Sequence, residues 1–150
     1  MDHLDKANLP LQDSPYAAKA GATVGANHGD GAIMATAILR FGANPPAVET
    51  GKPNDILAGN PATRLQNYFT DTTAQFFAGI WESSVGKWRV SYAENEFCAI
   101  LEGKCVLTDA SGTAETFVKG DSFVIPSGFA GTWETVEPVK KLYTIFEAKS

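Results

Sequence analysis

Histidine is scarce in this chain of 150 residues: there are two, His3 and His28, both near the amino terminus. Cysteine is equally scarce, with Cys98 and Cys105 far along the sequence from either histidine. With the two histidines in an irregular leader, far along the chain from the two cysteines, the four are not expected to form a structural zinc site. No stretch of about 18 apolar residues occurs, so no membrane-spanning helix is expected. The start, MDHLDKANLPLQDSP, has Asp2, Asp5 and Asp13 where a secretory signal needs a basic start and an unbroken apolar run, which points to the cytoplasm. An excess of positive charge is also missing. Twelve basic and 17 acidic residues leave a net charge of −5, the wrong sign for affinity built on phosphate neutralisation, and nucleic acid is not an expected partner.

The length suits one domain, which by size scaling buries roughly 68–70% of its unfolded surface and needs no disulfide or metal to fold. Residues 1–60 are rich in Gly, Ala, Pro and Asn and are expected to form an irregular leader or arm. Their one coherent apolar segment, 32–41, leans towards a strand or extended arm. After Pro61 the pattern becomes short apolar or alternating runs between turn residues. Expected strands are Gln75–Ser83, Lys87–Tyr92, Glu96–Leu101, Cys105–Thr108, Ala114–Val118, Ser122–Ile125, Gly131–Thr135 and Lys141–Phe146. Strands this short and evenly spaced predict an all-β sandwich or barrel over 61–150. A tight turn at Glu102-Gly103 would leave the two cysteines not directly opposed, so they are expected to stay reduced.

The runs GIWESSVGKWRVSYAENEFCAILEGKCVLTDASG and FVKGDSFVIPSGFAGTWETVEPVKKLYTIFE resemble the two conserved stretches of a cupin. The wording EFCAILEG, GDSFVIPSGFAGTWE and PVKKLY resembles the ureidoglycine aminohydrolase-like and ethanolamine-utilisation branch. The resemblance implies a jelly-roll barrel, the cupin double-stranded β-helix, and pairing of barrels into a homodimer. It also locates the family's metal positions. Glu96, seven residues before Gly103, stands where the metal-binding glutamate does, but the three histidine positions fall on Val90, Tyr92 and Gly131. One ligand of four remains, so neither a metal nor another cofactor is expected. The one residual route to a metal is His28 folding over the barrel mouth to join Glu96 and Cys98.

The two-residue period of a strand extends the inward set from the family's positions. Trp88, Val90 and Tyr92 share one face, as do Glu96, Cys98 and Ile100, and Gly131, Trp133 and Thr135. The expected cavity is aromatic, with one acid, one phenol and one thiol. Glu96 and Tyr92 are the candidate acid–base pair. Trp88, Val90, Cys98, Trp133 and Tyr143 are candidate ligand contacts, and Trp133 and Tyr143 suit stacking on a planar ligand. A buried acid with no metal to neutralise it has its ionised form disfavoured by desolvation. The structural alternative has Glu96 accepting hydrogen bonds from Tyr92 and nearby amides. Arg89, Lys140 and Lys141 are assigned to solvated faces. Two functions follow: a barrel that binds a small molecule without turnover, or a metal-free isomerase, lyase or hydrolase acting on a small polar nitrogen or carbonyl compound.

Overall fold

The computed structural model describes residues 37–149. His3, His28 and most of the 32–41 segment lie outside them, and the described part, 37–41, is irregular rather than a strand. The described residues form nine strands and no helix: β1 (Glu49–Gly51), β2 (Ile56–Gly59), β3 (Thr63–Thr70), β4 (Phe76–Ser83), β5 (Gly86–Ser91), β6 (Asn95–Asp109), β7 (Ala114–Val118), β8 (Ser122–Ile125) and β9 (Ala130–Phe146). All pairings are antiparallel.

Two long strands organise the molecule. β6 and β9 run against each other from Asn95↔Phe146 to Asp109↔Gly131. The first half of β9 also pairs with β5, and its second half with β4. The first half of β6 also pairs with β8, and its second half with β7. Two layers result, β1-β3-β4-β9-β6-β8 and β2-β5-β9-β6-β7, with the long strands passing from one to the other. That is the curled, two-layered jelly roll of a cupin barrel.

The expected turn at Glu102-Gly103 is instead a bend inside β6, so the two strands expected there are one. Register slips occur around Glu102 and Lys104, and Gly103 sits at φ +89°. A Cβ on Gly103 would lie 2.0 Å from the Pro138 carbonyl oxygen, so only glycine lets the bent strands approach this closely. Pro138 marks the matching bend in β9, which likewise joins two expected strands. Chain reversal does not occur because residues 104–108 are held on both sides, by β7 and by β9.

Alternation fills the space between the layers. Val139, Lys141, Tyr143 and Ile145 of β9, Glu96, Cys98 and Ile100 of β6, and Trp88 and Val90 of β5 are all buried. Phe77 and Trp81 of β4 join them, as do Cys105 and Leu107 beyond the bend. Both cysteines are free and buried; they lie on one strand, not across a hairpin. Within the expected leader, β1 pairs with β3 and β2 with β5, every residue of both strands being exposed.

Candidate functional site

Strand register decides which side chains meet inside the barrel. Val90 lies opposite Gly131 and Trp88 opposite Trp133. Glu96 lies opposite Ile145, Cys98 opposite Tyr143, and Ile100 opposite Lys141. Directly opposed residues share a face, so the candidate site residues Trp88, Val90, Glu96, Cys98, Trp133 and Tyr143 are gathered into one interior, with Tyr92 just beyond the end of β5 and also buried.

Lys141 corrects the sequence reading. It was expected on a solvated face, yet it is 1% exposed and lies deep in the barrel. Its Nζ donates a hydrogen bond to Glu96 Oε1 at 2.8 Å and another to Cys98 Sγ at 3.5 Å. The same ammonium lies 4.6 Å from the Trp81 ring centroid and 4.5 Å from that of Trp133. Trp88 stacks on Trp133 at 6.3 Å. The acid expected to stand alone therefore has a counter-charge, and the ammonium is walled by indole faces that favour it electrostatically. Arg89 is exposed and Lys140 half-buried. The signal for Lys141 was its spacing: it stands two residues before Tyr143 on one strand, so a strand that aims Tyr143 inward aims Lys141 inward too.

Around this pair the polar groups are mostly satisfied internally. Trp133 Nε1 donates to Thr135 Oγ1 at 2.9 Å, and Thr135 in turn meets the Ser83 hydroxyl. Tyr143 donates to Asn67 Oδ1 at 2.7 Å. The Trp81 indole nitrogen is buried with no hydrogen-bond partner among the described residues. Burial, reinforced by the Glu96 charge, pushes the Tyr92 hydroxyl and the Cys98 thiol well above their ordinary ranges, so neither ionises near neutrality. For Lys141 burial works against the charge, but the electrostatic pull of Cys98 and Glu96 and the Glu96 hydrogen bond outweigh it, and its affinity for the proton is raised. Because the Cys98 thiol stays neutral, Glu96 is the group that holds the ammonium.

The family's metal does not fit these residues. Val90 and Gly131 offer no donor, Tyr92 keeps its proton, and Glu96 is engaged by a cation of the chain itself. A Cβ at position 131 would lie 1.9 Å from the Thr108 carbonyl oxygen, so no side chain can occupy that position without moving backbone. Among the described residues no group of three or more His, Cys, Asp or Glu is placed to hold a metal ion.

Open space lies nearer the surface. A hollow of about 320 Å³ opens between β7, β8, the end of β6 and the loop after β8. Its walls are Leu107, Phe117, Phe123, Ile125 and Phe129, with Asp109 and Glu115 at the rim. Phe117 lies opposite Cys105 and Phe123 opposite Cys98, so both point to the interior side. They stack across the gap between the layers, 3.8 Å apart and 15° from parallel. Phe129 packs edge-on against Tyr92 at 6.2 Å, and Ile125 lies opposite Glu96, so the hollow sits directly over the sealed interior. These phenylalanines were not among the expected ligand contacts, although Phe117 and Phe123 alternate with exposed neighbours on either side of the Lys119-Gly120-Asp121 turn. A second hollow of about 270 Å³, at the corner of the bend, is lined by Arg64, Glu82, Glu102 and Lys140 among others.

A family model described as an EutQ-like cupin domain matches residues 70–143. The EutQ protein of Clostridium difficile is similar in structure with a TM-score of 0.54, at 14% identity, over 59% of this chain and 65% of that one. This chain thus spans under two thirds of that protein. A putative ethanolamine utilization protein of Salmonella typhimurium matches with a TM-score of 0.52, at 22% identity, over 58% of this chain and 71% of the other. A protein of unknown function from Pseudomonas syringae pv. tomato reaches a TM-score of 0.58, at 24% identity, over 74% of this chain and 45% of the other. None of the curated proteins matches the chain.

Proposed function

The chain belongs to the EutQ-like cupin family, and from that premise we propose that it is a small-molecule-binding barrel whose ligand enters the aromatic hollow at the mouth rather than a metal centre within. The observation that carries this reading is the division of the space between the layers. The interior is occupied by the Glu96–Lys141 pair and its three tryptophans, while the aromatic walls above it surround open volume. A concave apolar site with a few polar groups at its edge is the usual form of a small-ligand pocket.

Binding is favoured over acid–base turnover. Tyr92 and Cys98 keep their protons well past neutral pH, and the Glu96 carboxylate is held by Lys141. A proton donor or acceptor near pH 7 needs a pKa near 7, which burial denies to both of these groups. Thermal shift of the full chain against a panel of small amines, alcohols and carboxylates tests the reading, because a compound that binds only the folded state raises its stability. Hits that Phe117→Ala abolishes, with no product seen by mass spectrometry, support it. Hits that survive Phe117→Ala and vanish with Glu96→Gln would move the site to the interior. A homodimer belongs to the same proposal, and light scattering of the full chain checks it.

A further inference from the structure

We propose that the mouth hollow selects a small primary amine with an apolar or aromatic body. The inference rests on the binding reading and goes beyond it by naming the class of ligand.

The inner face of the antiparallel β6–β7 pair carries the argument. Leu107 and Asp109 are two apart on β6, and Glu115 and Phe117 are two apart on β7. Leu107 lies directly opposite Glu115, so the four side chains share one face, and that face lines the hollow. Both carboxylates therefore stand at the rim beside the apolar walls. Among the described residues they are the only charged ones that line the hollow, and no Lys or Arg does.

The Asp109 carboxylate is held in place. Its Oδ1 accepts from the Ser111 hydroxyl at 2.6 Å, the Ser111 amide at 2.9 Å and the Thr113 amide at 3.0 Å. These hydrogen bonds, the Ser111 hydroxyl first among them, lower its pKa, so it is ionised throughout the neutral range. An anionic ligand would meet two like charges on a protein already carrying −5. A neutral ligand would use only the walls. An ammonium is attracted by both carboxylates and by the faces of the phenylalanine rings, while its apolar body replaces water against Leu107 and Ile125. About 320 Å³ is at the small end for ligand pockets, which fits one ring or a short chain. The corner hollow differs: its Arg64 and Glu82 pair at 3.3 Å, and Lys140 and Glu102 offset each other, so it presents no single sign.

Titration calorimetry of the full chain at low ionic strength with 3-phenylpropylamine, 3-phenylpropanol and 3-phenylpropanoate is the test. The amine is expected to bind about tenfold more tightly than the alcohol, the acid not measurably, and added salt to erode the difference. Asp109→Asn keeps the Oδ1 acceptor and hence the turn; it and Glu115→Gln should each weaken the amine about threefold and leave the alcohol unchanged. Equal or tighter binding of the alcohol or the acid overturns amine selection and leaves the binding reading standing. Heat from none of the three probes removes the hollow as a site and takes the binding reading with it.

Discussion

The inner face of β6 carries an acid near each end, and the two live under opposite rules. Glu96, near the start, is 0% exposed, and a lysine of the same chain lies 2.8 Å away within a cage of indoles. Asp109, at the far end, is half-buried, and Glu115, which shares its face, is exposed; neither makes a salt bridge to a lysine or arginine among the described residues. Removing a carboxylate from water costs several kcal/mol unless a counter-charge is supplied on the spot, so the interior acid had to be matched within the chain. At the mouth, water meets that need, and the charge remains for an incoming cation. One protein thus keeps an internal ion pair where its fold commonly holds a metal, and an open, one-signed rim where a ligand can enter.

The change with the largest expected effect breaks this contrast by trying to restore the metal position. Gly131→His places a Cβ 1.9 Å from a backbone oxygen, and the strands must separate to admit it. A loss of more than about 4 kcal/mol is expected, read as absence of a cooperative melt. A folded variant that takes up one equivalent of a divalent metal would show the interior to be adaptable after all.

Alkaline pH sharpens the contrast, because the interior groups respond and the rim does not. Burial pushes the Cys105 thiol from 9.0 up to about 12, and Cys98, Tyr92 and Tyr143 are also raised. Each holds its proton in the folded state after the unfolded chain has released it. Their contribution is whole below pH 9 and is lost as pH rises towards the folded values, and the raised Lys141 adds to the loss above 10.5. Stability from urea titrations should be level from pH 7 to 9 and then fall by about 1.4 kcal/mol per pH unit for each such group. Cys105→Val should remove one group's slope between pH 9 and 12. A curve that stays level to pH 11 would mean that these groups are in contact with water.

The smallest expected effect distinguishes two indoles in the same cage. Trp133 donates a hydrogen bond and Trp81 does not. Trp133→Phe takes from Thr135 Oγ1 one of its two hydrogen-bond partners and leaves it Ser83 alone, whereas Trp81→Phe removes a buried donor that has no partner among the described residues. Trp81→Phe should therefore be milder by about 1 kcal/mol in the same denaturation assay. Equal losses would mean that packing alone sets both costs.

The barrel strands after residue 75 were legible because alternation and turn residues mark them. Where one side chain in two is buried, the period of two is written in the sequence. β1 and β2 bury no side chain and join the sheet through backbone alone, so no hydrophobic pattern announced them. β3 buries only Leu65 thoroughly and was missed for the same reason. Gly103 was legible as a special backbone position but ambiguous between a reversal and a bend, since only the carbonyl of Pro138, 35 residues on, explains why glycine is needed. At the candidate site, the inward set built on Val90, Tyr92, Glu96 and Gly131 followed from period and family pattern together. Lys141 did not, because its charge was weighed above its position, and the partner that makes its burial tolerable lies 45 residues away.

The most direct test of the account is a double-mutant cycle on that partnership. Lys141→Met keeps the stem and removes the charge, leaving Glu96 in the interior without its ammonium; a loss of about 3–5 kcal/mol is expected by urea denaturation at pH 7. In the background of Glu96→Gln the same change should cost far less, giving a coupling of at least about 2 kcal/mol. Additive losses, or a Lys141→Met protein within about 0.5 kcal/mol of the original, would contradict the claim that the internal ammonium neutralises the barrel's acid.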